Sequence, residues 1–346
     1  MAPTQKALLL PKKFGEFVVG EVPVPTPGAG EIKIKIISSS LNPVDWKIQK
    51  YGIFFDKFPA VLGSDIAGDV EELGAGVNVF KVGDRVFTQG LRSNETAGFQ
   101  QYALARSSTV SKIPENTSYD GAASFPVALS AAYLGLYNKN PHGLGFAPPT
   151  TKNQGKYSGV SIVILGGSSS VGQNAIQLAK ISGFSPIITT ASVKHTDYLK
   201  ALGATAILDR NLSSPALVAE IGKITNKPIK TVYDAISTAE TQQNGLDILA
   251  PGGQLAVVDA PVPKPTEGKV IIQVIGGLAL PHNIDILSHF YHDVVFGFLE
   301  KGWLKPNNIE VLPGGLSGIP DGLARLEGNQ VSNLKLVARP QETSLY

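Results

Sequence analysis

The residues best suited to chemistry form a run of small side chains. Leu165-Gly-Gly-Ser-Ser-Ser-Val-Gly-Gln-Asn-Ala-Ile-Gln-Leu-Ala-Lys180 follows a continuous apolar strand and opens a helix. In that setting free backbone N–H groups and the positive end of the helix dipole favour a pyrophosphate. Against the spacing G-x-G-x-x-G, Gly167 and Gly172 hold the outer positions and Ser169 stands for the middle glycine. Ser168, Ser170 and Val171 complete the turn. The same residues also suit an ordinary βα turn; the strand before them and the helix after them favour dinucleotide binding.

The next strand bears on which dinucleotide. NAD enzymes place a carboxylate about 20 positions on, where it meets the ribose hydroxyls. Here that strand ends Thr189-Thr-Ala-Ser-Val-Lys-His195, without a carboxylate. Ser192, Lys194 and His195 are positioned to hold a 2′-phosphate instead, and Arg210, after the third strand, adds a cation. A solvated loop would also carry such residues, but the expected cofactor is NADPH.

Other chemistries lack their residues. The chain has no cysteine, which removes disulfides, thiolate zinc sites and cysteine nucleophiles together. Of its five histidines, His289 and His292 stand one helical turn apart without an evident third ligand, as on a solvated helix face. No metal site is expected. A formal charge of +2 over 346 residues argues against a nucleic-acid or anionic-membrane surface. The apolar stretch from Ser158 to Ala179 is interrupted by glycines and serines, unlike a membrane span. Met1 to Leu10 reads as a first β-strand rather than a signal peptide, so the expected location is cytoplasmic.

The elements that must position the turn follow from patterning. Residues 1–126 are strand-rich: Glu31–Ile37 alternates polar and apolar, and 63–74 and 82–87 are short strands punctuated by glycine. Such spacing suggests a small antiparallel barrel. After Pro126 the pattern changes to a small-residue helix at 128–137 and a surface loop at 138–149. Continuous apolar strands then alternate with helices, which implies a parallel sheet covered on both faces. The tail contains a helix over 284–302, a strand at 309–312 and a closing strand at 333–337. The expected domains are 1–126 with 280–346, and 127–279.

Gly63-Ser-Asp-Ile-Ala-Gly68, Val82-Gly-Asp-Arg-Val-Phe87, Gly98-Phe-Gln-Gln-Tyr102, Phe125-Pro-Val-Ala-Leu-Ser-Ala-Ala132, the Gly-Ser turn and Leu334-Lys-Leu-Val337 occur in an order that resembles the medium-chain dehydrogenase/reductase family over essentially the whole chain. The resemblance implies a GroES-like β-barrel catalytic domain and a Rossmann domain that binds NADPH. Zinc alcohol dehydrogenases of that family carry a Gly-His-Glu motif and an upstream cysteine. The matching positions here, Gly63-Ser64-Asp65 and Ser39–Pro43, offer neither residue. Leu41-Asn-Pro-Val-Asp-Trp-Lys47 looks like the zinc-free branch of quinone reductases, enoyl reductases and fungal trans-acting enoyl reductases.

By that resemblance Val44, Asp45, Trp46 and Lys47 lie beside the nicotinamide ribose, and Lys47 orients cofactor or substrate. Lys47 also reads as a surface lysine on a short helix. Tyr51 is the candidate proton donor, with solvent as the alternative. Ser130 touches the nicotinamide end, and Val257 and Val258 line the cofactor cleft. Asn42, Trp46, Phe54 and Tyr133 are the substrate candidates, the aromatic ones equally suited to a core. Without a metal to polarise a carbonyl, the expected reaction is NADPH-dependent hydride transfer to the C=C bond of an α,β-unsaturated carbonyl. Alternatives are a carbonyl or quinone reductase and an NADPH-binding partner of a polyketide synthase acting on carrier-bound acyl chains. The oligomeric state stays open.

Overall fold

β-Branched residues alternating with lysines give β3 (Glu31–Ser40), after β1 (Thr4–Leu10) and β2 (Val18–Pro23). Ile32, Ile34 and Ile36 point to one face and pack on Ile66, Val70, Val86, Ala103 and Val110, while the lysines between them stay partly exposed. The computed structural model describes residues 3–150, 152–266 and 268–344; Met1 and Ala2 of the expected first strand therefore lie outside the described residues.

Chain contacts separate two units, one of Met1–Val127, Leu278–Gly302 and Pro306–Tyr346, the other of Ala128–Gly277 with Trp303–Lys305. In the first unit, helix α1 (Pro43–Tyr51) follows β3, and then come β4 (Ala60–Val61), β5 (Asp65–Leu73), β6 (Arg85–Gln89), β7 (Tyr102–Arg106), β8 (Val110–Lys112) and α2 (Tyr119–Ala123). The strand expected at 82–87 starts only at Arg85, because Gly83, at φ 87°, belongs to the turn that precedes it.

Unit two begins with α3 (Pro126–Tyr137), most of which lies in it, and continues β9 (Ile162–Leu165), α4 (Ser170–Ser182), β10 (Ile187–Ala191), α5 (Thr196–Leu202), β11 (Ala206–Asp209), α6 (Ser214–Ile224), β12 (Thr231–Asp234), α7 (Ala239–Ile248), β13 (Gln254–Val257) and β14 (Val270–Gln273). Its six strands run parallel in the order β11-β10-β9-β12-β13-β14. That order is the doubly wound one, which reverses direction between β9 and β12 and opens a crevice at the carboxyl ends there. Val163, Leu165, Ile188, Val232, Leu255 and Val257 are buried in one cluster, which explains their uninterrupted apolar runs. The expected surface loop at 138–149 is partly anchored: Leu144 is buried, and the Phe146 ring meets those of Tyr157 and Phe184 edge-on, each at 4.9 Å.

The chain returns to unit one through α8 (Pro281–His289), α9 (Val295–Glu300), β15 (Ile309–Val311), α10 (Ile319–Glu327) and β16 (Lys335–Ala338). The single helix expected over 284–302 is interrupted by a π-turn at Phe290–Val294. Phe290 and Tyr291 are both fully buried there, and the Tyr291 hydroxyl donates to the Pro126 carbonyl at 3.0 Å. The widened turn accommodates adjacent aromatics that a regular α-helix would direct 100° apart. β16 joins β3 antiparallel, so the end of the chain closes the sheet of seven strands β15-β16-β3-β5-β6-β8 with β7.

Candidate active site

In the second unit, β9 ends at Leu165 and Gly166 turns the chain at φ 80°. The Gly166 N–H donates to Thr190 Oγ1 at 3.0 Å, and the Ser169 hydroxyl caps α4 by accepting from the Gly172 N–H at 3.0 Å. A Cβ on Gly172 would stand 2.3 Å from the Gly166 carbonyl oxygen, and one on Gly167 2.1 Å from Thr189 Oγ1. The turn is thus closed to side chains at both glycines while Ser168, Ser169, Ser170 and Val171 remain partly accessible. A cap, a tight turn and the first turn of a 13-residue helix together suit a pyrophosphate. Gly166 and Thr190 were missed in the sequence; the glycine next to the strand end was the available signal for the first.

Ser192, Lys194 and His195 follow β10 directly, in the 3₁₀ turn before α5. The Arg210 N–H donates to the Ala191 carbonyl at 3.0 Å, which brings the end of β11 beside that turn. Partial burial lowers the His195 pKa, and the Lys194 and Arg210 charges lower it further. His195 thus lies in the positive field of Lys194 and Arg210, just past the carboxyl ends of β10 and β11.

The other candidates of this unit are less accessible. Ser130 and Tyr133 are buried, and the Tyr133 ring packs edge-on to Tyr137 at 4.8 Å. Of the two readings the sequence left for Tyr133, substrate wall or core, its burial fits the core. Val257 is likewise turned into the core, leaving only Val258, just past the strand, partly accessible; its N–H donates to Ser237 Oγ at 2.8 Å.

The first unit holds a buried polar network. Asp65 Oδ2 accepts from Ser40 Oγ at 2.6 Å and Asn42 Nδ2 at 2.8 Å, and Oδ1 accepts from the Val127 N–H at 2.7 Å. The Lys335 ammonium, 4% exposed, stands 3.1 Å from Asp65 and donates to Asn42 Oδ1 at 2.6 Å. Asn42 therefore has both ends of its amide engaged and is a structural hub where a substrate contact was expected. Asp45, 1% exposed, accepts from the Asn42 N–H at 2.8 Å. Burial pushes its carboxyl up to about 7, against two backbone N–H groups that favour the charged form. The predicted cofactor contact at Asp45 thus acts instead on its own helix N-terminus. Lys335, a lone cation in a closing apolar strand, was the signal for this network.

Metal donors are wanting here. The chain has no cysteine, Asp65 is surrounded by two side-chain donors, an N–H and an ammonium, and the described residues contain no group of three His, Cys, Asp or Glu able to hold a metal. This donor set does not fit catalytic zinc.

Helix α1 carries the remaining candidates. Val44 and Trp46 pack partly on the core, and the Trp46 indole Nε1 is buried without a hydrogen-bond partner. Lys47 Nζ lies 6.0 Å from the Trp46 ring centroid, and Tyr51, 55% exposed, meets that ring edge-on at 5.8 Å. Phe54 follows the helix and is 53% exposed.

Residues 28–115 match the family described as alcohol dehydrogenase GroES-like domain, and residues 170–300 the one described as zinc-binding dehydrogenase. The chain is 41% identical over 214 residues to the dehydrogenase azaJ of Aspergillus niger, a match covering 60% of each, so it spans less than two thirds of that relative's length. It is 32% identical over 318 residues to the trans-enoyl reductase himH of Aspergillus japonicus, covering 89% of both. An alcohol dehydrogenase superfamily protein from Novosphingobium aromaticivorans shares its fold, with a TM-score of 0.80, 22% identity, and coverage of 96% of this chain and 98% of the other.

Proposed function

The chain belongs to the medium-chain dehydrogenase/reductase family, and from that premise we propose an NADPH-dependent, zinc-free reductase of the C=C bond in α,β-unsaturated carbonyl compounds. Members of the family bind a nicotinamide cofactor and are oxidoreductases. The observation that carries the finer reading is the Asp65–Asn42–Lys335 network, which occupies its polar groups internally and offers no donor set for a Lewis acid. Reduction of a plain carbonyl then lacks a metal to polarise it, whereas a conjugated carbonyl can hold the developing enolate charge itself. The similarity to a protein named a trans-enoyl reductase supports the same reaction class.

The Gly166–Gly172 turn and the α4 N-terminus suit the cofactor's pyrophosphate, and Ser192, Lys194, His195 and Arg210 its 2′-phosphate. When bound there, a reduced nicotinamide would supply the hydride for the substrate β-carbon. Lys47 orients the reacting groups, and the α-carbon takes a proton from Tyr51 Oη. Expected partners are small unsaturated carbonyl substrates, free or as acyl thioesters on a carrier domain of a polyketide synthase.

The test is NADPH oxidation by the purified protein with an enal, an enone, an enoyl thioester, a quinone and a saturated aldehyde, with products identified by mass and NMR. Saturated carbonyl products from the first three establish ene reduction. Consumption only with the quinone or the aldehyde refutes it.

A further inference from the structure

Between Ile53, Phe55 and Phe58, which all pack on the core of the first unit, Phe54 turns outward at φ 69°. A bulky side chain in the left-handed region is strained, and this one leaves half its surface in water. The Arg92 guanidinium lies over its ring, 3.7 Å from the centroid. No carboxylate of the described residues pairs with Arg92, and the protein atoms around it lower its pKa through lost hydration alone. Arg325 and Arg339, by contrast, each hold carboxylates.

The pair is built rather than incidental. Asn94, two residues on, donates from Nδ2 to the Pro59 carbonyl at 3.0 Å and accepts from the Val61 N–H at 2.9 Å, which ties the arginine's loop to the phenylalanine's segment. The loop starts at Gly90, where a Cβ would meet the Thr96 carbonyl oxygen at 2.5 Å, so its path is narrowly set. A stacked guanidinium keeps its N–H edge open, and that fork matches the two oxygens of a carboxylate or phosphate.

We propose that the Arg92–Phe54 stack recognises an anionic group, a carboxylate or a phosphate ester, borne by the substrate acyl chain or its thioester arm. This rests on the reductase reading for the identity of the substrate. The acyl carbons lie along the exposed Phe54 ring, and the anion pairs with the Arg92 N–H edge. Neutral enones lack that contact and bind more weakly.

Calorimetry with unreactive saturated probes tests the proposal without turnover. The probes are butanoyl N-acetylcysteamine, which is neutral, pentanedioyl N-acetylcysteamine, which ends in a carboxylate, and butanoyl phosphopantetheine, which carries a phosphate. Wild-type protein is expected to bind at least one anionic probe roughly ten- to hundredfold more tightly than the neutral one, as a charged hydrogen-bonded contact provides. Preference for the carboxylate or for the phosphate identifies the source. Arg92→Met removes that margin, and Phe54→Leu narrows it, with thermal melting checked for both. Equal binding of all three probes by the wild type, or a margin kept in Arg92→Met, overturns the proposal. Absence of ene reduction would refute the reductase reading and leave this binding result standing.

Discussion

The Lys335 ammonium sits 3.1 Å from the Asp65 carboxylate in the interior of the first unit, and both are nearly or wholly buried. β16, which pairs with β3, thereby also meets β5 through a charge pair across β3. Removing one partner of such a pair strands the other charge and costs about 3–5 kcal/mol. Lys335→Met is expected to lose about that much in denaturant unfolding, while Lys335→Met with Asp65→Asn recovers part of it. A single variant as stable as wild type would contradict the network.

Asp45 makes stability depend on pH. An aspartate ordinarily titrates at 3.8, and burial raises this one to about 7. The folded state therefore holds a proton that the unfolded state releases earlier. Its contribution is fully present below about pH 4 and is lost as the pH rises to about 7. Asp45→Asn retains the carbonyl acceptor and removes the titration. Denaturant midpoints at pH 4.5, 6 and 7.5 should fall for the wild type relative to the variant; parallel profiles would refute the raised carboxyl.

The tight packing of the Gly166–Gly172 turn predicts the effect of Gly172→Ala. The new methyl would meet the Gly166 carbonyl oxygen at 2.3 Å, so the turn must open. NADPH affinity by fluorescence titration should fall roughly tenfold or more, about 1.4 kcal/mol. Unchanged affinity would move the cofactor away from this turn.

Lys194→Ala with Arg210→Ala tests the second phosphate. Both side chains are exposed, so screening limits their effect. The KM for NADPH should rise about tenfold and that for NADH little, and the His195 pKa should rise as both cations disappear. Equal effects on the two cofactors would remove the 2′-phosphate assignment.

Tyr51→Phe separates the proton donors. Loss of a general acid lowers kcat by about a hundredfold or more. A turnover equal to wild type would assign the proton to solvent.

Much of the fold was legible because its signals are local. Apolar runs between helical patterns gave the parallel sheet, alternation in β3 gave its buried face, and glycine and serine after β9 gave the tight turn into a capped α4. The π-turn at Phe290–Val294 was not, since it goes with the burial of adjacent Phe290 and Tyr291, which no local pattern in the sequence reports. The candidate site divides the same way. The turn and the cations after β10 are contiguous or nearly so, and their types indicated an anion. Tertiary structure alone decided that Asn42 and Asp45 face inward, that Tyr133 and Val257 are core, and that Lys335 answers Asp65. It also decided that Arg92 stacks on Phe54. Spacing along the chain reports which side chains share a face, but whether a charge is buried, and against what, depends on strands paired across long sequence separations.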